Sequence, residues 1–174
     1  PLGFPITIRF ANFVDAWFIG EYAQIFLNSS KLVIGTLILN LTVSGLAGFS
    51  LAKLYPRGSN VFLVYLLVGV SIPAQMFILP LFLMWKELNL MNTHLGLIII
   101  YAGLNAPFAT FLIRSYMIQL PDELFDAAKI DGANTLQLFY RIALPISWPV
   151  FLTTGLIVGL NVWNEFLFAL TFVH

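Results

Sequence analysis

The sequence predicts an all-α fold, a polytopic bundle of transmembrane helices, and three observations lead there. Of 174 residues, 60% are hydrophobic and only 9% charged, far from the balance of a soluble domain. Four windows, residues 32–52, 58–85, 88–113 and 142–164, contain no Asp, Glu, Lys or Arg. Each is long enough to cross a hydrocarbon core of about 30 Å, which takes roughly 20 helical residues. Small residues also recur at four-residue spacing inside two of the windows, as in helices that pack closely in lipid. The chain reads as one transmembrane domain, residues 1–174, with four complete spans.

Residues 1–31 form a mixed, aromatic-bearing segment, expected outside the membrane and lacking the charged start and cleavage site of a secretory signal. The chain lacks an initiator Met and stops within the apolar run "WNEFLFALTFVH", so truncation is expected at both ends. In the first span, 32–52, Ser44, Gly48 and Ala52 offer a surface for close helix approach. The second span, 58–85, contains Pro73 and Pro80; each removes a helix hydrogen bond, so this span should be kinked or broken. Ser71 and Gln75 lie beside the first kink, where they can satisfy freed backbone or face a water-filled path. A short turn carrying His94 leads into the third span, 88–113, and Gly155 and Gly159 give the fourth, 142–164, a GxxxG pair. Five positive charges (Lys53, Arg57, Arg114, Lys129, Arg141) flank one side of these spans and three (Arg9, Lys31, Lys86) the other, which places the 53–57 and 114–141 loops in the cytoplasm.

Several functions are disfavoured by what the chain lacks. Zero net charge gives no electrostatic attraction for nucleic acid, and the absence of cysteine removes disulfides and thiolate metal sites. No G-x-x-x-x-G-K-[ST] phosphate loop occurs, so the chain has no visible means of binding ATP. His94 and His174 stand alone, without zinc-ligand spacing, and Asn40-Leu-Thr, a glycosylation pattern, lies inside a span where it cannot be an acceptor. Ion-coupled carriers usually hold ionisable residues within the membrane, whereas here every Asp and Glu lies in a loop or at a boundary. The polar candidates for a solute path are Ser71, Gln75, Asn105, Asn161 and Asn164, which could equally serve interhelical hydrogen bonding.

The loop 120–145 holds four of the chain's eight acidic residues, within "DELFDAAKIDGANTLQLFYRIALP". Pro121 suits the first turn of a helix, and Asp122, Glu123 and Asp126 favour its positive end. Gly132 stops that helix, Asp131 is expected to shape the turn by bonding to backbone, and Asn134 can cap a second helix. In the second helix Leu136, Phe139, Tyr140 and Ala143 are expected to share a face, and Pro145 to end it and start the fourth span. Two apolar faces on a polar connection are best explained by docking into a partner's groove.

The spacing Asp126-Ala127-Ala128, three residues, Gly132, nine residues, Ile142-Ala143-Leu144-Pro145 resembles the EAA motif of ABC-importer permeases, with Asp where the family has Glu. "IPAQMFILPLF", "LNLMNTHLGLIIIY", "RIALPISWPV" and "WNEFLFAL" extend the resemblance over nearly the whole chain and are similar to the carbohydrate-importer branch, the maltose-type permeases. The resemblance implies a multi-pass subunit of the prokaryotic plasma (inner) membrane with six spans at its core, two of them missing here. It implies a second homologous permease, a cytoplasmic ABC ATPase dimer carrying ATP and Mg, and an external solute-binding protein. The chain itself would hold no cofactor or metal and catalyse nothing. Leu124, Phe125, Asp126, Ala127, Ala128, Asp131, Gly132, Phe139 and Pro145 would form the ATPase-docking loop, with Leu124, Phe125 and Phe139 filling the groove. The solute would be a sugar or oligosaccharide; an ABC permease for another solute, or a secondary carrier or channel, is the alternative.

Overall fold

The computed structural model describes residues 10–173, which are helical almost throughout; Arg9 and His174 lie outside the described residues. A short helix α1 (Ala11–Ile19) leads to α2 (Tyr22–Phe49), which a π-helical turn at Ser50–Leu54 extends to 33 residues. At 1.5 Å per residue this helix is about 50 Å long, longer than the hydrocarbon core it must cross. The segment 1–31, expected to precede the first span, therefore already contains α1 and the first ten residues of the long helix. Polar residues such as Gln24, Asn28 and Ser30 do not stop a helix, because nothing there supplies a cap or a proline; Ser30 merely donates to the Phe26 carbonyl one turn back, at 2.8 Å.

The second span is two helices, α3 (Ser59–Ser71) and α4 (Ile78–Glu87, preceded by a 3₁₀ turn at Ala74–Phe77), bent by 95°. The break falls at Ile72-Pro73, where both residues are extended, as the ring of a proline demands of its predecessor. Pro80, expected to add a second kink, instead occupies the first turn of α4, where a missing N–H costs little. The third span is the unbroken α5 (His94–Ile118, 25 residues), started by Thr93, whose hydroxyl accepts from the Gly96 N–H at 3.0 Å.

Beyond α5 come α6 (Asp122–Ile130), α7 (Thr135–Leu138), a π-helical turn at Phe139–Ala143 and α8 (Leu144–Ile146). Next are α9 (Trp148–Trp163) and α10 (Leu167–Phe172). The 78° bend that opens the last span falls at Ser147, not at Pro145 as the sequence led us to expect. Pro145 has no N–H and its ring would clash with the carbonyl four residues back; the widened turn just upstream, in which Leu144 N–H reaches Phe139 O, lets the helix pass through it. The same widening rotates the side chains. Leu138, Phe139 and Ala143 face inward, while Leu136 and Tyr140, expected to share their face, are exposed.

The bundle is organised around α2 and α5, with α9 packed on both. Thr36, Asn40, Ser44, Gly48 and Ala52 recur every fourth residue of the long helix and are all buried. Asn40 Nδ2 donates to Ala102 O at 2.9 Å and Ser44 Oγ to Ala106 O at 3.3 Å, binding the two helices with the polar contacts lipid cannot replace. A Cβ on Gly48 would lie 3.2 Å from the Arg114 backbone nitrogen, so this stripe sets the helix separation. Gly155 and Gly159 do not. A Cβ there would sit at ordinary contact distance from Leu41 (3.5 Å) and Leu37 (3.7 Å), and the tight α2–α9 approach is at Gly45, against the Phe151 ring.

Two apolar clusters occupy opposite ends of α5. One gathers Leu97, Ile100, Tyr101, Trp85, Phe168 and Phe172 near its start. The other gathers Phe49, Ile113, Met117, Phe125, Phe139 and Phe151 near its end, beneath α6 and α7.

Candidate functional site

The segment from α6 to α8 is built by local rules. Asp122 and Glu123 occupy the first turn of α6 and Lys129 the last, the charge order that complements a helix dipole. Gly132 then takes φ +83°, and the Gly132 N–H to Lys129 O (3.0 Å) and Ala133 N–H to Ala128 O (2.9 Å) bonds close a Schellman turn. Asp131 was expected to bond to this turn; its carboxylate makes no hydrogen bond, because backbone groups already hold the turn. Asn134 and Gln137 form a reciprocal capping box at 2.8 and 2.9 Å, so α7 begins where the sequence said it could.

The expected docking residues divide between two surfaces. Asp126, Ala127, Asp131 and Gly132 are exposed, Leu124 is 44% exposed, Ala128 is half-buried, and Pro145 lies on the exposed side of α8. Asp126 pairs with Lys129 at 2.9 Å along the helix. Phe125 and Phe139 do not face outward: they are 3% and 4% exposed, and their rings lie 6.1 and 5.5 Å from that of Phe49. Expected to fill a partner's groove, they fill this chain's own core instead, because the short helices need an anchor on the bundle. The outer apolar positions are Leu124, Leu136, Tyr140 and Ile130, which is 87% exposed. A cleft of about 400 Å³ between α6 and α7 is lined by Ala128, Asp131, Gly132, Gln137, Arg141 and Ile142 among others.

One residue of this region escaped sequence reasoning. Lys53, in the π-helical turn that ends the first span, has a side chain only 3% exposed. Its ammonium donates to Asp122 Oδ1 and to Leu120 O, both at 2.6 Å, and lies 5.1 Å from the centre of the Phe125 ring. In sequence it counts only as a positive charge beside a span. The usable signal is that a lysine next to an apolar window must be solvated or paired, and the loop 120–145 offers carboxylates on the same side.

The polar residues expected along a solute path are partly brought together. Asn161 Nδ2 reaches Asn105 Oδ1 at 3.4 Å, joining α9 to α5, while Asn105 Nδ2 donates to Tyr101 O at 2.9 Å. Ser71 and Asn164 donate to carbonyls of their own helices, Leu67 O at 2.9 Å and Leu160 O at 2.8 Å, so each serves its helix end. Gln75 lines a cleft of about 720 Å³ between the broken second span and α5, together with Tyr65, Pro73, Trp85, Pro107 and Phe108. At the far end of α9, Glu165 accepts from Tyr101 Oη (2.7 Å) and from the Phe168 and Ala169 N–H groups, capping α10 and fixing it to α5. Among the described residues no cluster of three or more His, Asp or Glu side chains could hold a metal.

The chain is similar to known proteins in sequence and in fold. The probable ABC transporter permease YurM of Bacillus subtilis is 36% identical over 93% of the chain, which covers 54% of that protein. The diacetylchitobiose uptake permease NgcG of Streptomyces coelicolor is 32% identical over 96% of the chain and 54% of that protein. The arabinooligosaccharide permease AraQ of Halalkalibacterium halodurans is 36% identical over 95% of the chain and 59% of that protein. The chain thus spans little more than half the length of these curated relatives. A crystal structure of a bacterial ABC transporter involved in importing the acidic polysaccharide alginate superposes with a TM-score of 0.77 and 25% identity, covering 85% of this chain and 51% of that one. The family described as binding-protein-dependent transport system inner membrane component matches residues 44–173, three quarters of the sequence and the whole of the α6–α8 segment, and the chain belongs to that family of ABC transporter permeases.

Proposed function

We propose that this chain forms part of the membrane path of an ATP-driven importer for a sugar or oligosaccharide, and that its α6–α7 segment docks on the ATPase that drives it. The observation that carries this reading is the segment itself. Its short helices are anchored inward by Phe125 and Phe139 and present Leu124, Ile130 and Leu136 outward around a polar turn. A segment so anchored, with apolar side chains left uncovered, is suited to a groove in another protein. The named solutes of NgcG and AraQ support the sugar class.

In this reading the 114–141 side of the bundle is cytoplasmic, and a second homologous permease completes the path. An external solute-binding protein delivers the sugar. ATP and Mg reside on the ATPase dimer, and this chain binds neither. ATP-driven closure of that dimer moves α6 and α7, and the broken helices α3–α4 and α8–α9 reorient around α2 and α5. Hydrolysis resets the path. Gln75, Asn105 and Asn161 would contact the solute, since amides supply both the donors and the acceptors that hydroxyls need.

The test is co-purification of the full-length protein with an ATPase partner, then ATPase stimulation measured across a panel of sugars with the cognate binding protein. Stimulation by one sugar class is expected. Stimulation only by an amino acid, peptide or phosphate would replace the solute, and transport without any ATPase would overturn the reading.

A further inference from the structure

The segment α6–α7 is joined covalently to α5 before it and to α8–α9 after it, but Lys53, in the turn that extends α2, lies 69 residues away from Asp122 in sequence. Whatever moves α6 therefore reaches α2, the helix at the centre of the bundle, only through non-covalent contacts. Two kinds exist. Phe49 packs on Phe125 and Phe139, an apolar contact that resists separation but lets rings slide. The other is Lys53. Its ammonium joins the Asp122 carboxylate and the Leu120 carbonyl, both at 2.6 Å, and sits over the Phe125 ring, so three groups at the start of α6 converge on one buried charge. Charge-assisted hydrogen bonds are directional, and a buried ammonium cannot leave its partners without exposing an uncompensated charge.

The local backbone is shaped for this contact. The π-helical turn at Ser50–Leu54 inserts an extra residue ahead of the helix end, and Tyr55 at φ 46° stops the helix directly after it. Arg114 Nε donates to Leu51 O at 3.4 Å, tying the same turn to the end of α5.

We propose that Lys53 is a positioning residue for coupling, the link through which displacement of the start of α6 is passed to α2. This rests on the reading of α6–α7 as the ATPase-docking segment. The test uses the full-length protein assembled with its ATPase and binding protein in vesicles, and reads ATP hydrolysed per solute moved. Lys53→Met keeps the stem and removes the charge. It should raise that ratio about tenfold, the order expected for losing a charge-assisted hydrogen bond. Lys53→Arg should restore most of the coupling, a rescue that simple packing at this site would not give. A wild-type ratio in an assembled Lys53→Met complex overturns the proposal. Should that variant fail to assemble, Asp122→Asn decides by the same criterion, since the Asp122 side chain is 66% exposed and outside the core. Gly132→Leu serves as the control on the underlying reading. If it uncouples while the Lys53 and Asp122 variants do not, only the link through Lys53 fails; if it also leaves ATPase association and ratio unchanged, the docking reading falls with it.

Discussion

The turn at Gly132 imposes two separable demands, one from the chain itself and one from whatever docks against it. The first is conformational. At φ +83° an L-residue is strained by about 1–2 kcal/mol, a cost set by the backbone and not by side-chain size. The second is spatial, and this chain contributes nothing to it, because no atom lies within 4 Å of a Cβ built on Gly132. Gly132→Ala and Gly132→Leu should therefore lower the unfolding free energy of the isolated full-length protein by the same amount. Gly132→Asn should lower it less, since Asn tolerates the left-handed region. Association with the ATPase should follow size instead. A leucine forced against a packed partner costs about 1–3 kcal/mol, roughly ten- to a hundredfold in affinity, beyond any loss seen with alanine. Denaturant unfolding gives the first quantity and titration of the ATPase onto detergent-solubilised permease the second. Equal affinities for the alanine and leucine variants would refute the idea that a partner sits against this turn.

Other expectations follow from the packing. Phe125→Ala should destabilise the loop by about 3 kcal/mol, as for a buried aromatic truncated in a core, and open α6 to protease, whereas Leu124→Ala should leave protease resistance intact. Gly48→Val should prevent α2 and α5 from closing, while Gly155→Ala should be tolerated; cysteine cross-linking between the two helices would report both. Glu165→Gln retains one acceptor oxygen where three donors now converge on a carboxylate. Faster amide exchange at 168–172 is expected, by about tenfold for each charge-assisted bond lost, and unchanged exchange would contradict the capping role.

Much of this molecule was legible because it is local. Charge-free windows are set by lipid, Gly132 by one backbone angle, and the Asn134–Gln137 box by four consecutive residues. The break at Pro73 followed from the proline ring alone. The failures share the opposite property. An amphipathic pattern says that Phe125 and Phe139 are covered, but only the packing shows that Phe49 of the same chain covers them. Lys53 and Asp122 find each other across 69 residues, and no local pattern marks such a pair. Asn40 was noticed only as part of a glycosylation pattern, although its amide holds α2 to α5. Pro145 misled because a single widened turn upstream absorbed its steric demand.

That widened turn, and its counterpart at Ser50–Leu54, bear on how the chain can change in length. A π-helical turn is an α-helix with one residue too many. Deleting one residue from Phe139–Ala143 would restore regular winding and keep α8 at nearly the same rotation about its axis, because the widened turn already takes up the extra residue. The buried row of α9, Val150, Thr154, Val158 and Val162, would keep facing the bundle. Loss of one residue here is thus absorbed within a single turn, much as an added residue in the Tyr55–Gly58 connection would merely lengthen a bend. A one-residue gap within 139–143 would still pair helices presenting the same faces.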